Sequence, residues 1–166
     1  MKKHRLFIAT FAQTKNFGEL KKRLAILFNG KFVKRKNLHI TYKFLADVED
    51  PQQIIQLLDG IKYDKSVKIK FQKLKLFRKK FVILRSSNKT IYKIHDTIEQ
   101  KLQGKFIRQK NFKPHITLMK IKSINDNDFK EKLKQLHFEA FVNFKICLVE
   151  SYLVNSHVKY KILREF

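Results

Sequence analysis

The chain is poor in the residues that break or staple a fold. Of 166 residues, one is cysteine, two are proline, four are glycine and none is tryptophan. The lone Cys147 excludes an internal disulfide and fits a reducing compartment, so a cytoplasmic location is expected. So little Pro and Gly argues against linkers and disordered stretches, and one domain over residues 1–166 is expected. Acidic residues are also scarce: 14 Asp and Glu stand against 38 Lys and Arg, a formal net charge of +24. A surface of that sign attracts polyanions, RNA or DNA above all. The same lysine excess, with many Ile, Phe and Asn, is also what an AT-rich genome produces. No apolar run approaches the roughly 20 residues needed to cross a bilayer, so no membrane partner is expected. The basic start Met1-Lys2-Lys3-His4-Arg5-Leu6 precedes only a short apolar stretch without a small-residue cleavage site, so no signal peptide is read.

What the chain does have is apolar material in regular patterns. It is 43% hydrophobic with 16 Phe, enough to build a core. Arg5 to Phe11 reads as a strand, and Phe17, Leu20, Leu24 and Leu27 recur at helical spacing with Gly30 as the stop. Leu38 to Leu45 is a second strand. Asp50-Pro51 opens a helix through Ile54 and Leu58 that Gly60 ends, because Asp caps and Pro suits the first helical position. Val67, Ile69 and Phe71 alternate with lysines as a half-buried strand, and Phe81 to Arg85 is another. Asn88 or Thr90 caps a helix through Ile91, Ile94 and Ile98. Pro114 to Met119 is a strand, Asn125 to Leu136 a helix, and Phe141 to Val154 and Val158 to Leu163 are strands joined at Asn155-Ser156-His157.

One phrase occurs twice. His39-Ile40-Thr41 lies on one strand and His115-Ile116-Thr117 on another. With six His and six Thr in the chain, two such pairs arise by chance roughly one time in fifty. Each motif strand has an amphipathic helix before and after it. Lys68-Ile69-Lys70-Phe71 resembles Lys145-Ile146-Cys147-Leu148, and Phe81-Val82-Ile83-Leu84-Arg85 resembles Tyr160-Lys161-Ile162-Leu163-Arg164, at nearly the same offset. The pattern is an internal duplication. It predicts an α+β fold: a bilobal duplicated unit, two antiparallel sheets flanked by helices, and a pseudo-two-fold axis, with the motif strands facing each other across a central cleft.

Residues i and i+2 of a strand share a face, so His39 and Thr41 stand together with Lys43, and His115 with Thr117. Imidazole titrates near pH 6.5, so a pair can hold one protonated and one neutral ring: a general acid and a general base. Two Thr hydroxyls can donate to phosphate oxygens, and nearby lysines can balance charge growing on a phosphoryl transition state. No carboxylate cluster or Cys–His grouping accompanies them, so the residues signal no metal and no cofactor. The competing explanation, buried strand residues of a Lys-rich chain, suits one His-Ile-Thr better than two on duplicated units. His4, His95, His137 and His157 lack this context and read as surface or structural. Arg78-Lys79-Lys80 and the segment Lys105 to Lys113 could touch an RNA backbone or simply be solvated loops.

These residues resemble the 2H phosphoesterases, and more narrowly the bacterial and archaeal RNA 2′,3′-cyclic phosphodiesterases, once called 2′-5′ RNA ligases. Arg5-Leu6-Phe7-Ile8-Ala9 looks like the family's opening strand. Asn37-Leu38-His39-Ile40-Thr41-Tyr42-Lys43-Phe44-Leu45 resembles its first motif and Phe112-Lys113-Pro114-His115-Ile116-Thr117-Leu118 its second. Glu150-Ser151-Tyr152-Leu153, with Tyr160 and Leu163, looks like its closing hairpin.

The resemblance implies metal-independent opening of a 2′,3′-cyclic phosphate at an RNA end to a 2′-phosphomonoester, and the protein is expected to be a monomer. It makes His39 the acid and His115 the base, or the reverse by symmetry, with Thr41 and Thr117 on phosphate oxygens. Lys120 stands where the family usually has Arg, keeping the charge but losing the bidentate fork. Simple alternation points Lys120 away from His115, so a twist or strand end must bring it round. Tyr42 replaces an aliphatic residue, and Ala46-Asp47 stands where Gly is usual. Rivals are a 2′-5′ ligase or phosphodiesterase, a small cyclic nucleotide phosphodiesterase of the same fold, or an RNA-end-binding protein without catalysis.

Overall fold

The computed structural model describes residues 3–66, 68–109, 111–143, 145–155 and 157–166. Val67, Phe144 and Ser156, which the sequence pattern assigns to strands or a turn, and Lys110 of the basic segment lie outside the described residues, as do Met1 and Lys2. The elements run β1 (His4–Thr14), α1 (Phe17–Leu27), β2 (Phe28–Phe32), a 3₁₀ turn (Arg35–Asn37), β3 (His39–Val48), α2 (Pro51–Leu58), β4 (Lys68–Phe71) and β5 (Lys73–Phe77). They continue as β6 (Phe81–Arg85), α3 (Lys89–Lys101), β7 (His115–Ile124), α4 (Phe129–Gln135), β8 (Ala140–Asn143), β9 (Cys147–Val154) and β10 (His157–Glu165).

Local chemistry explains the helices. Helix α1 buries Phe17, Leu20, Leu24 and Leu27, the set at helical spacing. Asp50 accepts from the Gln52 amide with Pro51 in the first turn of α2, and Asn88 accepts from the Thr90 amide at the start of α3. Helix α4 is shorter than the pattern from Asn125 suggests. Asp126 instead accepts from the Asp128 amide in a turn ahead of the helix. Beta strands β2 and β5 are additions that the sequence reading leaves out. Gly30 is not a helix stop: α1 ends at Leu27, and Gly30 sits in β2 against β7. A Cβ there would lie 2.1 Å from the Lys120 carbonyl oxygen, so only glycine allows this approach. The expected strand Phe141–Val154 is two strands, β8 and β9.

The α+β class holds. Seven strands follow the antiparallel path β10-β9-β1-β3-β7-β6-β5. Strand β2 adds to β7, and β4 and β8 join the end of β1 as a small second antiparallel sheet. The pseudo-two-fold runs between β3 and β7, where Ile40 pairs with Ile116. The motif strands thus lie side by side in one sheet rather than facing each other across the cleft. The halves also exchange strands. Strand β5 pairs with β6, which the matched segments put at the end of the first repeat but which stands beside β7 as β1 stands beside β3, while β9, from the second half, returns to β1.

One face of this sheet carries the main core. Helix residues such as Leu24, Leu58 and Ile98 join Ile40, Tyr42 and Ile116 there, all at 0% exposure. Burying a side chain of this size contributes about 1.5–3 kcal/mol, which is what holds the helices to that face. The opposite face bears a smaller cluster of Phe7, Ala9, Cys147 and Val149, with Phe11 and Tyr160 at its edge. That second face is where the motif side chains emerge. Among the described residues no helix is long and apolar enough to cross a membrane.

Candidate functional site

Register decides which side chains meet. On the first side, Phe11 pairs with His39 and Ala9 with Thr41, while Thr10 pairs with Ile40 on the core face. On the second, Arg85 pairs with His115 and Ile83 with Thr117, while Leu84 pairs with Ile116 on the core face. The antiparallel Ile40–Ile116 pair then sets His39 beside Thr117 and Thr41 beside His115. Four groups converge: two imidazoles on one diagonal and two hydroxyls on the other. Diagonal neighbours of this kind are about 7–8 Å apart at the backbone, room for one phosphoryl group between the rings.

Both imidazoles are held the same way. The Nδ1–H of His39 donates to the Asn37 carbonyl at 2.6 Å, and that of His115 to the Lys113 carbonyl at 2.7 Å. A carbonyl can only accept, so the proton of a neutral ring sits on Nδ1 and its Nε2 lone pair is left for chemistry. The surroundings differ. His39 packs against Phe7, Phe11 and Tyr160, with ring centroids 5.2, 5.8 and 5.3 Å away. Burial among these rings lowers its proton affinity below the usual imidazole value. The Asn37 hydrogen bond opposes this and the nearby His115 charge adds to it. His115 has Phe77 at 5.3 Å and Arg85 as its cross-strand neighbour.

The two lysines trade places relative to simple alternation. Strand β3 carries an extra residue where Ile8 pairs with Lys43 but Ala9 with Thr41. That bulge turns Lys43 to the core side. Lys43 is 2% exposed, and its Nζ donates to Glu99 Oε1 and Oε2 at 2.7 and 2.9 Å and to the Ile107 carbonyl at 2.8 Å. It is therefore not beside His39 and Thr41. Phe44, 72% exposed, takes that face instead, opposite Phe7. Strand β7 bulges at the matching place, since Val82 pairs with Met119 but Ile83 with Thr117. Lys120 thereby pairs with Phe81 and joins the His115–Thr117 face. The same insertion on both strands takes Lys43 off the His39–Thr41 face and puts Lys120 on the His115–Thr117 face.

Ala46, in the Ala46-Asp47 pair where the resemblance implies Gly, has a φ of +56°, a left-handed backbone that glycine adopts most readily. His95 is structural: it is 4% exposed and stacks on Phe112 at 4.1 Å. Phe7, Phe11, Phe44, Arg85 and Tyr160 border the site without having been named as site residues, although Phe7, Phe44 and Tyr160 lie in the segments that resemble the family and Arg85 in a matched segment of the repeat. Among the described residues no three His, Cys, Asp or Glu side chains cluster as metal ligands would.

Known proteins match the chain in sequence and in fold. The family described as LigT like Phosphoesterase matches the chain twice, over residues 11–84 and again over 83–160. A Methanocaldococcus jannaschii protein named RNA 2′,3′-cyclic phosphodiesterase is 28% identical over 145 residues, covering 82% of this chain and 83% of its own length. One of the same name from Aquifex aeolicus is 28% identical, covering 100% and 98%. The fold matches that of E. coli LigT complexed with 3′-AMP, with a TM-score of 0.75, 19% identity and coverage of 99% and 98%. It also matches Thermus thermophilus TT0787, with a TM-score of 0.70, 19% identity and coverage of 98% and 96%.

Proposed function

The chain belongs to the LigT-like phosphoesterases, a family of hydrolases, and we propose that it is an RNA 2′,3′-cyclic phosphodiesterase. The observation that carries this reading is the paired lock on His39 and His115. Each ring presents Nε2 beside a threonine of the other strand, an arrangement suited to a phosphoryl group with entering and leaving oxygens on opposite sides. The same name on two relatives supports the substrate.

Water attacks phosphorus in line and the bond from phosphorus to the 3′ oxygen breaks. His115 Nε2 takes the proton from water, and protonated His39 delivers one from Nε2 to the departing 3′ oxygen. The product is a 2′-phosphomonoester with a 3′ hydroxyl. The anionic phosphate opposes the burial that lowers the proton affinity of His39, so bound substrate favours the protonated ring that the acid role needs. Thr41 and Thr117 donate to the non-bridging oxygens, and Lys120, with Arg85 beside His115, balances the charge that grows on them.

A leaving-group test separates acid from base. His39→Ala and His115→Ala should each slow hydrolysis of a 2′,3′-cyclic phosphate about 10²–10⁴-fold. With bis(p-nitrophenyl) phosphate, whose leaving group needs no proton, His39→Ala should recover most of that loss and His115→Ala should not. Full activity of either variant on the cyclic phosphate defeats the proposal. Recovery by His115→Ala alone reverses the two roles. End-labelled RNA compared with 2′-5′ dinucleotides and free cyclic nucleotides fixes the substrate.

A further inference from the structure

A basic groove lies along β1 just beyond Phe11, the cross-strand neighbour of His39. Its volume is about 810 Å³, and its walls include Lys15, Lys34, Arg35, Lys36, Lys68 and Phe141. Five of these six carry positive charge, and among the described residues no carboxylate lines the groove. It is built into the same elements that hold the first motif. The 3₁₀ turn that carries Arg35 and Lys36 ends at Asn37, whose carbonyl locks His39. Arg35 Nη2 donates to the Thr14 carbonyl, tying that turn to the end of β1. The Ala12 amide, also in the groove wall, donates to the Leu38 carbonyl at 2.8 Å.

The groove also has an aromatic floor. Phe141 pairs with Gln13 across β1 and β8 and with Lys70 across β4 and β8, on the face away from the buried Ala140 and Val142. Lys68 Nζ lies 4.5 Å from its ring centroid and Lys70 Nζ 5.8 Å. Cations tracking a backbone, with an aromatic face set among them, are how proteins hold single-stranded nucleic acid without reading its sequence. Strand β1 carries the geometry outward. Phe11 pairs with His39, and the groove wall continues to Thr14, about 10 Å farther at strand rise. A phosphate lodged there belongs to a neighbouring nucleotide, not to the group between the two histidines.

We propose that this groove binds the single-stranded RNA segment leading up to the reacting end, with Lys34, Lys36 and Lys68 on its phosphodiesters and Phe141 under one base. The proposal rests on the RNA-end reading above and turns the protein's charge into a preference for oligonucleotides over mononucleotides.

The test compares two substrates. In Lys34→Gln/Lys36→Gln/Lys68→Gln, KM for an oligonucleotide ending in a 2′,3′-cyclic phosphate should rise at least about tenfold at 0.1 M salt. The values for mononucleotide 2′,3′-cyclic AMP should not move. Each lost single-strand contact flattens the plot of log affinity against log salt by about 0.7, so the triple variant should lose a slope of about 2. Phe141→Leu should weaken oligonucleotide binding about 5- to 100-fold with the salt slope intact. An unchanged oligonucleotide KM, or an equal rise for the mononucleotide, overturns the groove.

Binding of the same oligonucleotide with a plain 3′ hydroxyl, read by fluorescence anisotropy, tests the groove apart from catalysis. If wild-type protein hydrolyses neither substrate, the phosphodiesterase reading fails. The groove then stands only if this binding is lost in the triple variant and kept in His39→Ala. Tighter binding of duplex than of single-stranded RNA rejects the role given to Phe141.

Discussion

Lys43→Met is expected to destabilise the protein by about 3–5 kcal/mol, the usual consequence of stripping one partner from a buried ion pair. The side chains of Lys43 and Glu99 are 3% and 5% exposed and 2.7 Å apart at closest approach. Without the ammonium, the Glu99 carboxylate keeps, among the described residues, the Gln109 amide at 3.4 Å and the edge of His95 at 3.5 Å. Neither replaces two short charged hydrogen bonds. The Ile107 carbonyl also loses its donor, so the segment from residue 103 to 114 loosens. That segment carries Phe112, stacked on His95, and Lys113, whose carbonyl orients His115. Activity should fall along with stability.

Removing both charges tells a different story. Lys43→Met/Glu99→Leu has no stranded carboxylate and should return to within about 1–2 kcal/mol of wild type. Urea unfolding of the four proteins at pH 7, followed by circular dichroism, gives the coupling energy as a double-mutant cycle. A cost below about 1 kcal/mol for Lys43→Met, or a double variant that merely sums the singles, refutes the buried-pair account. Loss of activity at full stability would instead return Lys43 to the substrate.

Ala46→Gly should raise stability by up to about 1 kcal/mol, because Ala46 is held at a φ of +56° that costs a side chain but not glycine; a midpoint shift in urea unfolding reads it. Gly30→Ala should destabilise and also lower activity, since its Cβ would press on the Lys120 carbonyl in the second motif strand; KM should rise in folded protein as Lys120 moves. Cys147, 2% exposed and with its thiol pushed by burial to about 11, should ignore Ellman's reagent at pH 8 until the protein is unfolded. His39 and His95 both bind protons less readily when folded, chiefly through burial. Their contribution to stability is present above pH 6.5 and is lost as pH falls below it, because the unfolded chain takes up those protons first. Each group can contribute a slope of at most about 1.4 kcal/mol per pH unit. Urea midpoints from pH 7.5 to 5.5 should fall, and less so in His95→Phe; a flat profile contradicts the burial of these rings.

The four central groups are legible from sequence because strand periodicity is rigid. His39 and Thr41, and His115 and Thr117, share a face whatever the rest of the fold does. The lysines are not, because a single inserted residue reverses that periodicity. Nothing in Tyr42-Lys43 announces the bulge, although the adjacent apolar pair Leu118-Met119 is consistent with the one in β7. The duplication is legible in matched segments, and the family's double match agrees with it. Which strands pair is another matter. Arg85 reaches His115 and Phe11 reaches His39 only through long-range register, which local pattern does not encode. For the same reason the side-by-side placement of β3 and β7 emerges only when the strands are seen paired.

The exchange of strands between the halves also bears on how the chain is made. Strand β1 leaves the ribosome early, but one of its two long neighbours is β9, where Leu6 meets Glu150. At 5–20 residues per second, that partner appears roughly 7–30 s later. For that interval the strand bearing Phe7, Ala9 and Phe11 has an open edge next to apolar side chains. A truncated product ending before β9 would keep that edge for good. The duplicated halves are therefore not two independent folding units, and a nascent chain with its first motif complete still depends on its last strands to become a protein.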